Sequence, residues 1–161
     1  MRIRIRVPQV LVAAGVLALA AVAAALTAQY QFDMQPCVWC VLQRLLYIVI
    51  AVAVFAGAFF DGTTRRVAVL LALAVSLCGI AAALWQHFYA AKQPSCDLTL
   101  ADQVITALHL DRLMPQVFVA YASCSDAAVN VIGVPFAMWS CAMFALLAVL
   151  LAWTLRAQRT R

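Results

Sequence analysis

The stretch Pro36-Cys37-Val38-Trp39-Cys40-Val41-Leu42-Gln43-Arg44 decides the reading of this chain. It is a C-x-x-C pair with an arginine four residues beyond it, and it opens an apolar run that continues to Phe60. Pro36 suits the first turn of a helix, where a missing N–H costs nothing. On a helix, residues i, i+3 and i+7 share a face, so Cys37, Cys40 and Arg44 are expected on one side. A helix N-terminus carries partial positive charge, and an arginine adds a permanent cation. Both favour the thiolate, the nucleophile of disulfide exchange. The plain alternative is a static disulfide or two buried thiols. Against it, an arginine at the centre of a bilayer costs about 2.5–3.5 kcal/mol on insertion scales. Even one turn inside a span it has little use beside a static bridge.

The rest of the chain explains why a membrane enters this reading. Of 161 residues, 68% are hydrophobic and 11% charged, where a soluble domain is about half apolar and about a quarter charged. A single integral membrane domain over 1–161 is expected, with spans at about 10–28, 41–60, 67–85 and 134–155 and connecting loops at 29–40 and 90–133. A bilayer core needs about 20 helical residues, and each run meets that length. The first run follows a basic start, Arg2, Arg4 and Arg6, and ends at Leu26-Thr27-Ala28, which resembles a signal-peptide cleavage site. It exceeds the length of about 7–15 residues expected of a signal core, so a retained helix is expected. Within the long loop, apolar residues at 98, 100, 101, 104, 105, 107, 108 and 110 predict a short amphipathic helix, lying on the membrane surface or packed on the loop itself. Pro115 to Ala120 is apolar enough to dip into the interface.

The net charge of +5 does not point to nucleic acid, because the arginines flank the spans. Arg2, Arg4, Arg6, Arg65, Arg66, Arg156, Arg159 and Arg161 fall on one side, and Lys92, Arg112 and Arg44 on the other. By the positive-inside rule both termini are expected in the cytoplasm. Cys37, Cys40, Cys96 and Cys124 then all lie on the outer side, where disulfides persist.

Cys96 and Cys124, 28 positions apart, read alone as a loop-closing disulfide. Beside a C-x-x-C on the same face they form a candidate second exchangeable pair, since two disulfides in series can pass two electrons. Cys78 and Cys141 fall in mid-span, where a thiolate is costly, and read as small packing residues. His87 stands where the third span reaches the outer face, either as an ordinary interfacial histidine or as a donor to an electron acceptor. Gln43 and Gln86 offer polar contacts at that depth. A metal site would have to use Cys37, Cys40 and His87, too few for the four ligands a structural zinc usually takes. Metal binding or transport is nevertheless the alternative from another class. A tetraspan scaffold with stabilising disulfides is the blandest.

With these features assembled, the chain resembles the bacterial disulfide bond formation protein B (DsbB) family. The resemblance covers nearly the whole chain. It is carried by Pro36-Cys37-Val38-Trp39-Cys40 with Gln43-Arg44, by Gln86-His87, by Ser95-Cys96-Asp97, and by Pro115 to Ala120 leading to Cys124. It implies an all-α fold of four transmembrane helices with a long periplasmic loop carrying a short helix, in the bacterial inner membrane. It implies a thiol:quinone oxidoreductase that reoxidises a periplasmic thioredoxin-fold dithiol oxidase of the DsbA type and reduces ubiquinone or menaquinone. Residue by residue, Cys96 matches the cysteine attacked by the reduced partner and Cys124 its loop partner. Cys37 would exchange with that pair, and Cys40 would face the quinone. Arg44 would stabilise the Cys40 thiolate and the quinone oxygen, with His87 nearby. Gln43 departs from the family's pattern, where a glutamate can occur, which puts a proton role at 43 in doubt. Vitamin K epoxide reductase-like enzymes use similar chemistry on four helices, but their quinone-facing C-x-x-C lies late in the chain.

Overall fold

Lipid offers no hydrogen bonds to the backbone, so an apolar segment must satisfy its N–H and C=O groups internally and becomes a helix. The computed structural model describes residues 7–93 and 99–159. Among them are four helices long and apolar enough to cross a membrane. They are α1 (Val7–Phe32), α2 (Val38–Phe59), α3 (Gly62–Phe88) and α7 (Phe136–Arg159). Between α3 and α7 lie a 3-10 turn (Ala90–Lys92) and the short helices α4 (Leu100–Ala107), α5 (Leu110–Leu113) and α6 (Pro115–Phe118). A two-residue hairpin follows, β1 (Asn130–Val131) with β2 (Val134–Pro135), in antiparallel register. A helix long and apolar enough to cross a membrane stands at each of the four expected runs. Each helix outlasts its apolar run at one end or both: α1, α3 and α7 continue into polar residues, and α2 starts three residues early, at Val38. The fourth starts later than expected because Val134 and Pro135 belong to the hairpin. Its turn residues Ile132 and Gly133 both have positive φ (54° and 77°), as a tight two-residue hairpin turn requires.

Successive long helices pack as neighbours, and α7 closes the bundle against α3 and α1. Small residues let the helices approach, as is usual in membranes. The Phe144 ring of α7 lies over Gly79, where an added Cβ would meet ring atoms at 2.4 Å. Phe144 in turn stacks on Tyr47, with centroids 4.0 Å apart and planes 1° off parallel. Leu11, Ile50, Val54, Val69, Leu147 and Leu151 complete this core. At the opposite end from the basic α2–α3 turn, a second apolar cluster joins the start of α2 to the long connection. It contains Cys37, Trp39, Ala101, Ile105, Phe118 and Cys124.

Of the loop helix expected over 98–110, residues 100–107 form α4, capped by Thr99, whose hydroxyl accepts from the Asp102 amide; Leu98 lies outside the described residues, and His109, at φ 53°, separates α4 from α5. Its buried residues, Ala101 and Ile105, belong to the cluster at the start of α2. The apolar Pro115 to Ala120 segment becomes α6, with Phe118 buried in that same cluster. Cys78 is exposed on the outside of the bundle and Cys141 half-buried, so Cys78 faces the surroundings and does not fill the core.

Candidate active site

Cys37 is the N-cap of α2, with extended backbone (φ −85°, ψ 169°). Pro36 therefore stands one residue outside the helix and not in its first turn. Cys37 turns inward even so, and its sulfur lies 3.2 Å from that of Cys40. These two are free thiols, as are Cys78 and Cys141. Cys37 is fully buried, and Cys40 is half-buried. The hydrogen bond shared with Cys40, and then burial, hold the Cys37 thiol above its ordinary range.

A chain of amides meets the sulfurs from α3. Gln43 Nε2 donates to Gln86 Oε1 at 2.6 Å. Gln86 Nε2 donates to Cys40 Sγ at 3.1 Å and reaches Cys37 Sγ at 3.6 Å. Both glutamines are buried, so their polar groups need these partners.

Arg44 is only 3% exposed. Its Nη1 donates to Gln29 Oε1 at 2.7 Å and to the Val117 carbonyl at 2.9 Å. Its Nη2 reaches the Ala25 carbonyl at 3.4 Å. One guanidinium thus ties α2 to α1 and to α6. Its buried Nε–H has no hydrogen-bond partner among the described residues.

These side chains meet at a cavity of about 190 Å³. Cys40, Gln43, Arg44 and Gln86 form one side. Ala21, Ala24, Ala28, Phe136, Trp139 and Met143 supply apolar wall from α1 and α7. Tyr47 and Ser140 lie deeper, where the Tyr47 hydroxyl donates to the Ser140 carbonyl at 3.0 Å and meets its Oγ at 2.9 Å.

Cys124 is disulfide-bonded and buried in the same cluster as Cys37. The backbone leading to it is pinned beside the dithiol. The Tyr121 and Ala122 amides both donate to the Pro36 carbonyl, at 3.0 and 3.2 Å. Tyr30 adds a bond from its hydroxyl to the Gln116 carbonyl, at 2.8 Å.

Of the residues singled out in the sequence, Cys37, Cys40, Gln43, Arg44 and Gln86 come together, and Cys124 joins Cys37 in one cluster. Cys96 lies outside the described residues. His87 is half-buried, packs its ring edge-on against Phe88, and does not line the cavity. The structure adds Gln29, Tyr47 and Ser140. Among the described residues no group of three or more His, Cys, Asp or Glu side chains could hold a metal ion.

A family model described as Disulfide bond formation protein DsbB matches residues 7–154. The chain belongs to the DsbB family. It is 35% identical over 152 residues to Disulfide bond formation protein B 2 of Burkholderia lata, covering 92% of this chain and 88% of that protein. It is 34% identical over 144 residues to Disulfide bond formation protein B of Pseudomonas syringae pv. tomato, covering 87% and 84%. Disulfide bond formation protein B of Burkholderia thailandensis is 31% identical over 157 residues, covering 95% and 92%. With four apolar helices of spanning length, family membership makes this a multi-pass membrane protein of disulfide bond formation, an oxidoreductase in class.

Proposed function

We propose that the protein is a thiol:quinone oxidoreductase that reoxidises a DsbA-type thioredoxin-fold dithiol outside the bacterial inner membrane, with both termini in the cytoplasm. The observation that carries this reading is the cavity between α1, α2 and α7. It sets an apolar chamber beside the sulfur of Cys40 and the guanidinium of Arg44. A flat apolar ring with polar oxygens fits such a chamber, and the unpartnered Arg44 Nε–H is a donor in need of an acceptor. A bound ubiquinone or menaquinone would supply an acceptor for two electrons and two protons.

The protein's own residues supply the path. The partner's thiolate attacks Cys96, breaking a Cys96–Cys124 disulfide and releasing Cys124 as a thiolate. The partner's second thiolate displaces Cys96, so the partner leaves oxidised. Cys124 attacks Cys37 of an oxidised Cys37–Cys40 pair and releases Cys40 as a thiolate beside Arg44. Cys96 then displaces Cys37, which restores the loop disulfide and leaves Cys37 and Cys40 reduced. Every exchange breaks one disulfide and forms one, and two electrons reach Cys40. Burial of Cys37 and Cys124 in one cluster supports the transfer between pairs.

The test is quinone absorbance in purified, quinone-supplied protein after addition of a reduced thioredoxin-fold dithiol, with C40A and C96A in parallel. Loss of oxidised quinone in the parent protein but not in either variant is expected. A partner that stays reduced in every sample would refute the reading.

A further inference from the structure

We infer that Gln86 acts on Cys40 directly as the hydrogen-bond donor to its thiolate, and that Gln43 is the positioning residue that keeps the Gln86 amide turned that way. The inference deepens the proposed reaction, since it rests on Cys40 being the sulfur that carries charge beside the cavity.

The geometry leaves one consistent arrangement. A thiolate only accepts hydrogen bonds, so the NH2 end of Gln86 must face the sulfur, at 3.1 Å. The Gln86 oxygen then points the other way and needs a donor, because it is buried. Gln43 Nε2 fills that place at 2.6 Å. Without Gln43 the amide could turn over and present its oxygen to Cys40. Such a contact repels a thiolate. The two glutamines come from different helices, α2 and α3, and Gln86 is the contact that α3 makes with both sulfurs. Arg44 does not duplicate this role. Its Nη groups are engaged by Gln29, Val117 and Ala25. Beside the Cys37 thiol, 3.2 Å away, the donor to Cys40 is therefore a neutral amide.

The experiment uses the full-length protein in membranes with Cys37, Cys78 and Cys141 replaced by alanine, so that Cys40 is the reduced thiol. Its thiolate absorbance, taken against a matching C40A sample, is read at a pH where the thiol is partly ionised. A hydrogen bond to a charged group accounts for about a tenfold change in equilibrium. Gln86→Ala is thus expected to lower the thiolate-to-thiol ratio about tenfold. Its alkylation rate should fall only about threefold, because a more basic thiolate is also more nucleophilic. Gln43→Ala should lower the ratio in the same direction but less, and should change nothing further once Gln86 is alanine. Gln86→Met keeps length and packing without a charge or a donor, which guards against a variant that simply folds poorly. It should lower the ratio about as far as Q86A does. A purely structural Gln86 predicts that Q86M keeps the parent ratio, and that result would overturn the inference. An additive effect of Q43A in the Q86A background would overturn the positioning role. The thiolate readout needs neither quinone nor partner. Failure of the oxidoreductase reading, seen as absent turnover in the parent protein, is thereby distinguishable from failure of this one.

Discussion

Arg44 Nη1 stands 2.9 Å from the carbonyl oxygen of Val117, 73 residues away in the chain. That bond joins a guanidinium inside the helical bundle to the connection that carries Cys124. The same nitrogen holds Gln29 of α1, so one side chain fixes two elements around the cavity.

Replacing Arg44 by lysine keeps the charge but loses the planar fork that serves several acceptors at once. The Val117 carbonyl then goes unpaired, and hydrogen bonds to charged groups contribute about 1.5–3 kcal/mol each. R44K is expected to raise protease sensitivity in 114–122 and to lower dithiol oxidation about tenfold or more. Cleavage in that segment at the parent rate would show that Arg44 does not restrain it.

Tyr30 makes the second clasp, to the Gln116 carbonyl, but it is exposed and water competes for its hydroxyl. Tyr30→Phe should therefore cost less than about 1 kcal/mol in global stability. Its effect should be local, as faster amide hydrogen exchange over 117–122 with the helices unchanged. Uniform acceleration through α1 and α2 would contradict this.

The four long helices were legible because lipid demands long uninterrupted apolar runs; Val41 to Phe60 is of spanning length, and Val10 to Ala28 is too long for a signal core. Cys37, Cys40 and Arg44 were legible because they fall within one stretch of eight residues at a single helix entrance. The partners of Arg44 were not. Gln29 and Val117 reach it only through packing of α1 and α6, which no local spacing encodes. The one available signal was that Gln29 is a polar residue closing an apolar run at the same membrane depth. Gln86 and His87 were placed at the right level, but one residue is about 100° of helix rotation. The third span is apolar nearly all round, so its composition does not reveal which of the two turns inward. Packing on α2 turns Gln86 to the sulfurs and leaves His87 half-buried.

Gly79 is a packing requirement. A Cβ there would sit 2.4 Å from the Phe144 ring, which is fully buried and stacked on Tyr47, so the ring has no free space to retreat into. Gly79→Ala is expected to destabilise the bundle by about 1–3 kcal/mol, the usual cost of overpacking. It should also shift Tyr47 at the cavity. Thermal unfolding in detergent checks the first effect. A midpoint equal to the parent's would mean that Phe144 relaxes freely.

Tyr47 tests whether the deep end of the cavity matters to its ligand. Its hydroxyl bridges α2 to Ser140 of α7 by two contacts, while its ring fills the core beside Phe144. Tyr47→Phe removes the bridge and keeps the ring. Interhelical hydrogen bonds in membranes average only about 0.6 kcal/mol, so stability should barely change. The Ser140 groups, however, would lose their partner at the cavity wall and become free to bond a ligand or water. On the proposed quinone reading, Y47F is therefore expected to change the KM for a supplied quinone severalfold while leaving alkylation of Cys40 at the parent rate. If KM and alkylation move together, the deep and shallow ends of the cavity are coupled through the packing of α2. If neither moves, the ligand does not reach as far as Ser140, and binding is confined to the end formed by Cys40, Gln43, Arg44 and Gln86.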